Sequence, residues 1–60
     1  MTNREFLNTL TDYEYAVRIH YIVTVITAEF YHYKPVEDVT IDEIDCALAE
    51  FLGREWIGAI

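Results

Sequence analysis

A threonine followed three residues later by a glutamate occurs three times in this 60-residue chain. In such a capping box, the threonine hydroxyl accepts a hydrogen bond from an unpaired amide of the first helical turn, and the glutamate carboxylate accepts one from the threonine amide. Three boxes predict three helix starts. The pairs are Thr2 with Glu5, Thr11 with Glu14, and Thr40 with Glu43.

The sequence also contains residues that end these helices. Lys34 is followed by Pro35, whose ring and missing amide hydrogen oppose continuation of a helix. Gly53 stands at a position typical of a left-handed C-cap. We therefore predict an all-α fold with three helices. They are expected at residues 3–9, 12–33 and 41–52, in one domain that spans residues 1–60.

Apolar residues recur every three or four positions in the two longer helices, which is the spacing of one buried helix face. The helix at 41–52 has a stripe formed by Ile41, Ile44, Leu48 and Phe51. The helix at 12–33 has a seam formed by Ala16, Ile19, Val23, Ile26, Phe30 and Tyr33. We expect these two sets to form most of the core.

Six consecutive β-branched residues, from Ile22 to Thr27, weaken the prediction of a helix at 12–33. Each costs roughly a few tenths of a kcal/mol relative to alanine in a helix, and such residues pack well in strands. An α+β fold with a strand near 21–27 is therefore an alternative. It is disfavoured because the sequence contains neither a comparable second strand nor a hairpin turn beside the run.

A second apolar face runs along the helix at 12–33, beside the predicted seam. This second face consists of Tyr13, Val17, Tyr21, Thr24, Val25, Ala28 and Tyr31. One short helix and one medium helix cannot cover both sides of a long one, so we expect a homodimer or a target protein to bury part of it. The alternative is that the N-terminal helix and the tail at Trp56-Ile57 cover it.

The net charge of −7 is concentrated in the C-terminal half of the chain. Residues 37–55 hold seven carboxylates and one arginine, a balance of −6, whereas residues 1–36 have a balance of −1. An acidic surface repels nucleic acid and attracts basic grooves, including those that hold DNA or RNA. We therefore expect a basic nucleic-acid-binding protein as the partner, and no direct binding of nucleic acid. The alternative is a solvated surface that only keeps the protein soluble.

Two sets of residues are candidates for partner binding. Carboxylates suit arginines and lysines of a basic surface, and tyrosine and tryptophan are enriched among binding hot spots. The acidic candidates are Glu37, Asp38, Asp42, Glu43, Asp45 and Glu50. The aromatic candidates are Tyr21, Tyr31 and Trp56.

Few residues suggest catalysis. The sequence has no serine, no Cys-x-x-Cys and no glycine-rich phosphate loop. Glu29 and His32 have the Glu-x-x-His spacing of di-iron carboxylate bundles, but such a site needs a second motif and two further carboxylates, which a homodimer would have to supply. We expect no enzymatic activity, no cofactor and no metal site. A metal-dependent redox protein built on Glu29 and His32 is the alternative.

The sequence also indicates a compartment. Its single cysteine, Cys46, cannot form an internal disulfide, which suits a reducing cytoplasm. No signal peptide is visible after Met1. The longest apolar or threonine run, Tyr21 to Ala28, is far shorter than the roughly 20 residues that span a bilayer. We expect a cytoplasmic protein that does not enter the membrane.

The opening "TNREFLNTLTDYEYA" and the closing "EWI" resemble a group of short, mostly uncharacterised proteins from phages and prophages of Gram-positive bacteria. Members commonly carry several cysteines, whereas this chain has only Cys46, so the resemblance implies no metal site. Small acidic phage proteins of this size are often inhibitors of host defence, including anti-CRISPR proteins that mimic DNA. The resemblance therefore implies an inhibitor of a defence nuclease, such as a Cas nuclease or a restriction enzyme, acting in the bacterial host cell.

In that mechanism, carboxylates of the acidic helix bind arginines and lysines that otherwise contact DNA. The carboxylates that would do so are Asp42, Glu43, Asp45 and Glu50. The rival hypothesis is a structural or adaptor module that self-associates through the helix at 12–33. In that case the acidic helix serves only for solubility.

Overall fold

The structure, a computed structural model, describes residues 1–58 and contains three α-helices. They are α1 (Asn3–Leu7), α2 (Asp12–Tyr33) and α3 (Ile41–Gly53), and a 3-10 turn at Val36–Asp38 joins the last two. The prediction of an all-α fold is confirmed. The alternative strand near 21–27 is wrong, because these residues lie in the middle of α2. Within residues 1–58, β pairing is confined to an isolated antiparallel bridge between Thr2 and Glu55.

All three helices begin immediately after the threonines of the capping boxes. The full box forms at α1, where the Glu5 amide donates to Thr2 Oγ1 at 3.2 Å and the Thr2 amide donates to the Glu5 carboxylate at 2.8 Å. At Thr11 and Thr40 the hydroxyl also accepts from the amide three residues on, at 3.3 and 3.2 Å. There the glutamate carboxylate accepts from the hydroxyl instead of from the cap amide. The first two helices end within two residues of their predicted ends.

The end of α3 differs from the prediction of a left-handed cap. Gly53 is the last helical residue, and the only positive φ within residues 1–58 belongs to Gly58. Arg54 adopts an extended conformation instead. Its amide donates to the Phe51 carbonyl at 3.1 Å, and its carbonyl accepts a hydrogen bond of 2.8 Å from the amide of Asn3 in the N-terminal segment.

Beside this pairing, the N-terminal segment and the tail pack on the end of α3. The Trp56 amide donates to the Met1 carbonyl at 2.8 Å. The buried side chain of Asn3 donates from Nδ2 to the Phe51 carbonyl, also at 2.8 Å. The Trp56 ring stacks on Phe6 of α1, with ring centroids 4.3 Å apart and 6° between the planes. These contacts hold α1 and the tail together against α3.

The core of the molecule is small. Leu7 of α1 and Ile22 of α2 are its buried hydrophobic residues within the described chain. The middle of the predicted α2 seam is half-buried, at Ile19, Val23, Ile26 and Phe30. The two ends of that seam were predicted wrongly, since Ala16 and Tyr33 are exposed. The α3 stripe is likewise shorter than predicted, because Ile41 is 76% exposed.

The β-branched run is accommodated inside α2 by burial and by local hydrogen bonds. Ile22, the first residue of the run, is buried. The Thr24 hydroxyl donates to the His20 carbonyl and the Thr27 hydroxyl to the Val23 carbonyl, both at 2.8 Å. Each threonine therefore satisfies its hydroxyl within the helix, and tertiary burial offsets the weak helix propensity of the segment.

Candidate functional site

The second face of α2 is uncovered in the described part of the chain. All seven of its residues are exposed. The exposed fractions of its tyrosines are 79% at Tyr13, 60% at Tyr21 and 47% at Tyr31. From the first to the last of these residues, the face extends about 27 Å along the helix axis. The described residues therefore leave this face open to a partner.

The elements proposed to cover this face lie elsewhere. The helix α1 packs on α3, and the tail residue Trp56 stacks on Phe6 of α1. Ile57, the other tail residue considered, is exposed. Within residues 1–58, neither α1 nor the tail buries the second face, which corrects that alternative.

A groove of about 390 Å³ lies between α2 and α3 and is continuous with the second face. Its apolar walls are formed by Tyr21, Ile22, Val25, Ile26, Phe30 and Tyr33 of α2, and by Ala47 and Phe51 of α3. Glu29, Glu50 and Arg54 add charge to its lining. Tyr21 and Val25 belong both to this groove and to the second face. The two features therefore form one surface.

Sequence reasoning missed both this groove and the burial of Ile22. The predicted seam passed through Val23 and Ile26, which are half-buried, whereas α3 packs toward the side of α2 that carries Ile22. The spacing of four between Ile22 and Ile26 was the available signal. Choosing between neighbouring seams requires knowing where α3 packs.

Glu43, one of the acidic candidates, is engaged by a cation of the same chain. Lys34 Nζ donates to both carboxylate oxygens of Glu43 at 2.8 Å. These hydrogen bonds are the main cause that lowers the pKa of Glu43 below its ordinary value, and partial burial opposes them. The Glu43 side chain is 29% exposed. A partner's arginine or lysine would therefore have to displace Lys34 to reach this carboxylate.

Glu50 is also paired within the chain. Arg54 Nη2 donates to Glu50 Oε1 at 2.9 Å across one helical turn. Both side chains are mostly exposed, so this ion pair is weak and readily exchanged. Glu50 lies about 10 Å along α3 from Glu43, beside the groove.

The remaining four acidic candidates form an open acidic surface, made of Glu37, Asp38, Asp42 and Asp45. All four are exposed, and none forms an ion pair with another described residue. They lie in the 3-10 turn and in the first turns of α3, where Asp42 also interacts favourably with the helix dipole. The structure thus divides the six predicted carboxylates into four available ones and two paired ones.

The three aromatic candidates are also divided. Tyr21 and Tyr31 are exposed on the second face, as a binding role requires. Trp56 is half-buried against Phe6, so its ring contributes to the packing of the tail on α1. Its buried indole Nε1 has no acceptor within residues 1–58. Of the aromatic candidates, only the two tyrosines are available to a partner.

The residues considered for metal or redox chemistry do not gather into one site. Glu29 lines the groove, and His32 is exposed outside its lining. Among residues 1–58, no three histidine, cysteine, aspartate or glutamate side chains form a group that could hold a metal ion. Cys46 is exposed as a free thiol on α3. The second face of α2, together with the groove beside it, therefore remains the principal candidate site.

Searches of protein-family models, of curated proteins and of solved structures found no match to this chain. Among the described residues, no helix combines the length and apolarity needed to cross a membrane.

Proposed function

We propose that this chain is a non-catalytic protein-binding module whose partner packs on the second face of α2. The observation that carries the proposal is the exposure of the whole face, including three tyrosines, over about 27 Å of helix. Contiguous exposed apolar surface on a small soluble protein is typical of an interaction site. Tyrosines contribute large contact area and a hydroxyl for hydrogen bonding at low entropic cost.

The six acidic candidates have the secondary role in this proposal. Glu43 and Glu50 already have Lys34 and Arg54 as partners, so exchanging them for a target's cations yields little net energy. The second face has no such competing contact within the described residues. We therefore infer that apolar burial supplies most of the affinity, and that the negative charge supports solubility and steers encounter.

Mimicry of nucleic acid is the second candidate function. It is favoured by Glu37, Asp38, Asp42 and Asp45, which are exposed without an intrachain ion pair among the described residues. In this version the chain is an inhibitor of a defence nuclease, of anti-CRISPR or anti-restriction type, and these carboxylates occupy a basic groove that otherwise holds phosphates. The second face would then add affinity that salt does not screen.

Site-specific photocrosslinking separates the two candidates. The full chain is produced in bacterial cells with a benzophenone amino acid in place of Tyr21, on the second face, or of Asp45, on the acidic surface. We expect protein adducts from position 21 and few from position 45. Adducts formed only at position 45 would favour mimicry, and an absence of adducts at position 21 would overturn the proposed binding surface.

Tyr15 is the matched control position. It is an exposed tyrosine of the same helix but lies outside the second face. A benzophenone at Tyr15 should therefore give fewer adducts than one at Tyr21. Equal yields at the two positions would indicate random collision instead of a defined interface.

A further inference from the structure

The polar residues on the groove side of the second face are arranged differently in the two halves of α2. Glu14 and Arg18 lie in the N-terminal half, and Glu29 and His32 in the C-terminal half. Glu14, Glu29 and His32 are exposed, and Arg18 is half-buried. Residues spaced alternately by four and three share one line on a helix. Such a line runs through Glu14, Arg18, Tyr21, Val25, Ala28 and His32, on the groove side of the second face.

We propose that the partner on this face is a second copy of the chain, with the two α2 helices antiparallel and centred near residue 23. This inference rests on the proposed function, because it identifies the partner of the same surface. In this register, Glu14 lies opposite the partner's His32 and Tyr21 lies opposite the partner's Val25. Arg18 comes beside the partner's Glu29. Each contact occurs twice, as a two-fold interface requires.

Charge complementarity selects the antiparallel orientation. A parallel pair would bring each charged residue against its own copy, so Glu29 would meet Glu29 and Arg18 would meet Arg18. Like charges at close range destabilise an interface and opposite charges stabilise it. The antiparallel pair replaces these repulsions with contacts between Arg18 and the partner's Glu29. It also aligns the two helix dipoles in opposite directions.

Side-chain size favours the same register. Along the line, Tyr21 is opposite the partner's Val25, and Arg18 is opposite the partner's Ala28. Large residues therefore meet small ones on both sides of the centre, which allows the helices to approach closely. Tyr21 also lies at the groove between α2 and α3, so this groove forms part of the same interface.

The distribution of net charge does not oppose this pairing. Residues 1–36, which include α2, have a balance of only −1, whereas residues 37–55 carry −6. The open acidic surface lies on α3 and the turn before it, outside the second face. Two copies joined through α2 therefore bring together nearly neutral surfaces.

Exchanging the charges of Arg18 and Glu29 in the full chain tests the pairing. Sedimentation at low salt measures the dissociation constant of the dimer. We expect the unmodified chain to dimerise, and Arg18→Glu or Glu29→Arg alone to weaken the dimer about tenfold, because each reverses two symmetric contacts. The double variant should recover the original dissociation constant to within about threefold. Circular dichroism checks that each variant remains helical. A monomeric unmodified chain, or single-variant losses that the double variant does not repair, would overturn the proposal.

The orientation has an independent readout. In a Cys46→Ala background, a spin label on Asp12→Cys should lie at least about 35 Å from its copy in the antiparallel dimer, because residue 12 is then opposite residue 34 of the partner. A parallel dimer would bring the labels to about 20–25 Å, because Asp12 lies on the side of α2 away from this line and helices pack about 8–10 Å apart. A distance in the shorter range would contradict the antiparallel arrangement.

The crosslinks from position 21 distinguish failure of this inference from failure of the proposed function. Adducts with twice the 7.1 kDa mass of the chain support a second copy as the partner. Adducts with other proteins only would leave the second face as the binding surface but overturn self-association. An absence of adducts would overturn both.

Discussion

Lys34, the C-cap of α2, donates hydrogen bonds of 2.8 Å to both carboxylate oxygens of Glu43 in the first turn of α3. Glu43 also accepts a bond of 3.3 Å from the hydroxyl of Thr40, the N-cap of α3. A single carboxylate therefore connects the end of one helix to the start of the next, across the turn that begins at Pro35. Glu43 therefore stabilises the fold, although the sequence indicated it as a partner-binding residue.

Stability should depend on pH through Glu43. Its pKa is lowered in the folded chain, mainly by the hydrogen bonds from Lys34, relative to an ordinary value of 4.5. The resulting stabilisation is fully present above the pKa of the unfolded chain and is lost as the pH falls through the folded pKa. Lys34→Met should flatten this acid dependence, whereas Lys34→Arg should retain it. Urea unfolding between pH 7 and about pH 3 measures the effect.

The pKa of Glu5 is also lowered, chiefly by the hydrogen bond from the Thr2 amide. Its contribution to stability therefore has the same sign and disappears over the same acidic range. Because Lys34→Met leaves this bond intact, the difference between variants isolates Glu43. Identical acid dependence in the Lys34→Met and unmodified chains would contradict the assigned role of Lys34.

The buried side chain of Asn3 should contribute measurably to folding. It donates to the Phe51 carbonyl at 2.8 Å, and so joins α1 to the end of α3. Asn3→Ala should lower the free energy of unfolding by about 1–2 kcal/mol. Asn8→Ala is the control, because Asn8 is exposed and has a right-handed helical backbone. Equal losses in the two variants, measured by urea unfolding, would refute the specific contribution of Asn3.

The stacked pair Phe6 and Trp56 should respond more to loss of the ring than to loss of the indole nitrogen. Trp56 Nε1 is buried without an acceptor in residues 1–58, so Trp56→Phe removes an unsatisfied donor while keeping an aromatic ring against Phe6. We expect Trp56→Ala to cost about 3 kcal/mol and Trp56→Phe less than about 1 kcal/mol. Thermal unfolding followed by circular dichroism measures both. Equal losses would show that ring packing is not the main contribution.

The β-branched run should contain positions with opposite effects on stability. Ile22 is buried, so Ile22→Ala should lower the free energy of unfolding by about 2–4 kcal/mol. Thr24 is exposed, and Thr24→Ala should raise it by roughly 0.5 kcal/mol through better helix propensity. The comparison is made by denaturant unfolding at concentrations where sedimentation shows monomer. A loss at Thr24 as large as that at Ile22 would contradict this assignment.

Gly53 should be replaceable with a gain in stability. It is helical, its φ is not positive, and a Cβ built on it meets no atom within 4 Å. Gly53→Ala should therefore stabilise the chain by up to about 1 kcal/mol. Gly58→Ala is the contrasting variant, because Gly58 has φ of +83° and an added Cβ would be strained. A lower melting temperature for Gly53→Ala would indicate that the end of α3 needs glycine.

The candidate site could be predicted only in part. Exposure of Tyr21 and Tyr31 followed from the excess of apolar surface on a single long helix, which a chain of this length cannot cover. Engagement of Glu43 by Lys34 could not be predicted, since it depends on how closely α3 returns to the end of α2. The position of Trp56 against Phe6 likewise required the tail to fold back on α1.

The helix starts and the all-α fold follow from chemistry that acts within a few residues. A threonine cap, a proline after a lysine and an apolar spacing of three and four operate on the local backbone, so they can be recognised without a structure. The buried face of α2, the extended conformation of Arg54 and the groove beside Ile22 depend on contacts between distant segments. Such contacts are set by the packing of α3 and the tail, because several seams of one helix are apolar enough to be buried and only the placement of neighbouring elements selects one.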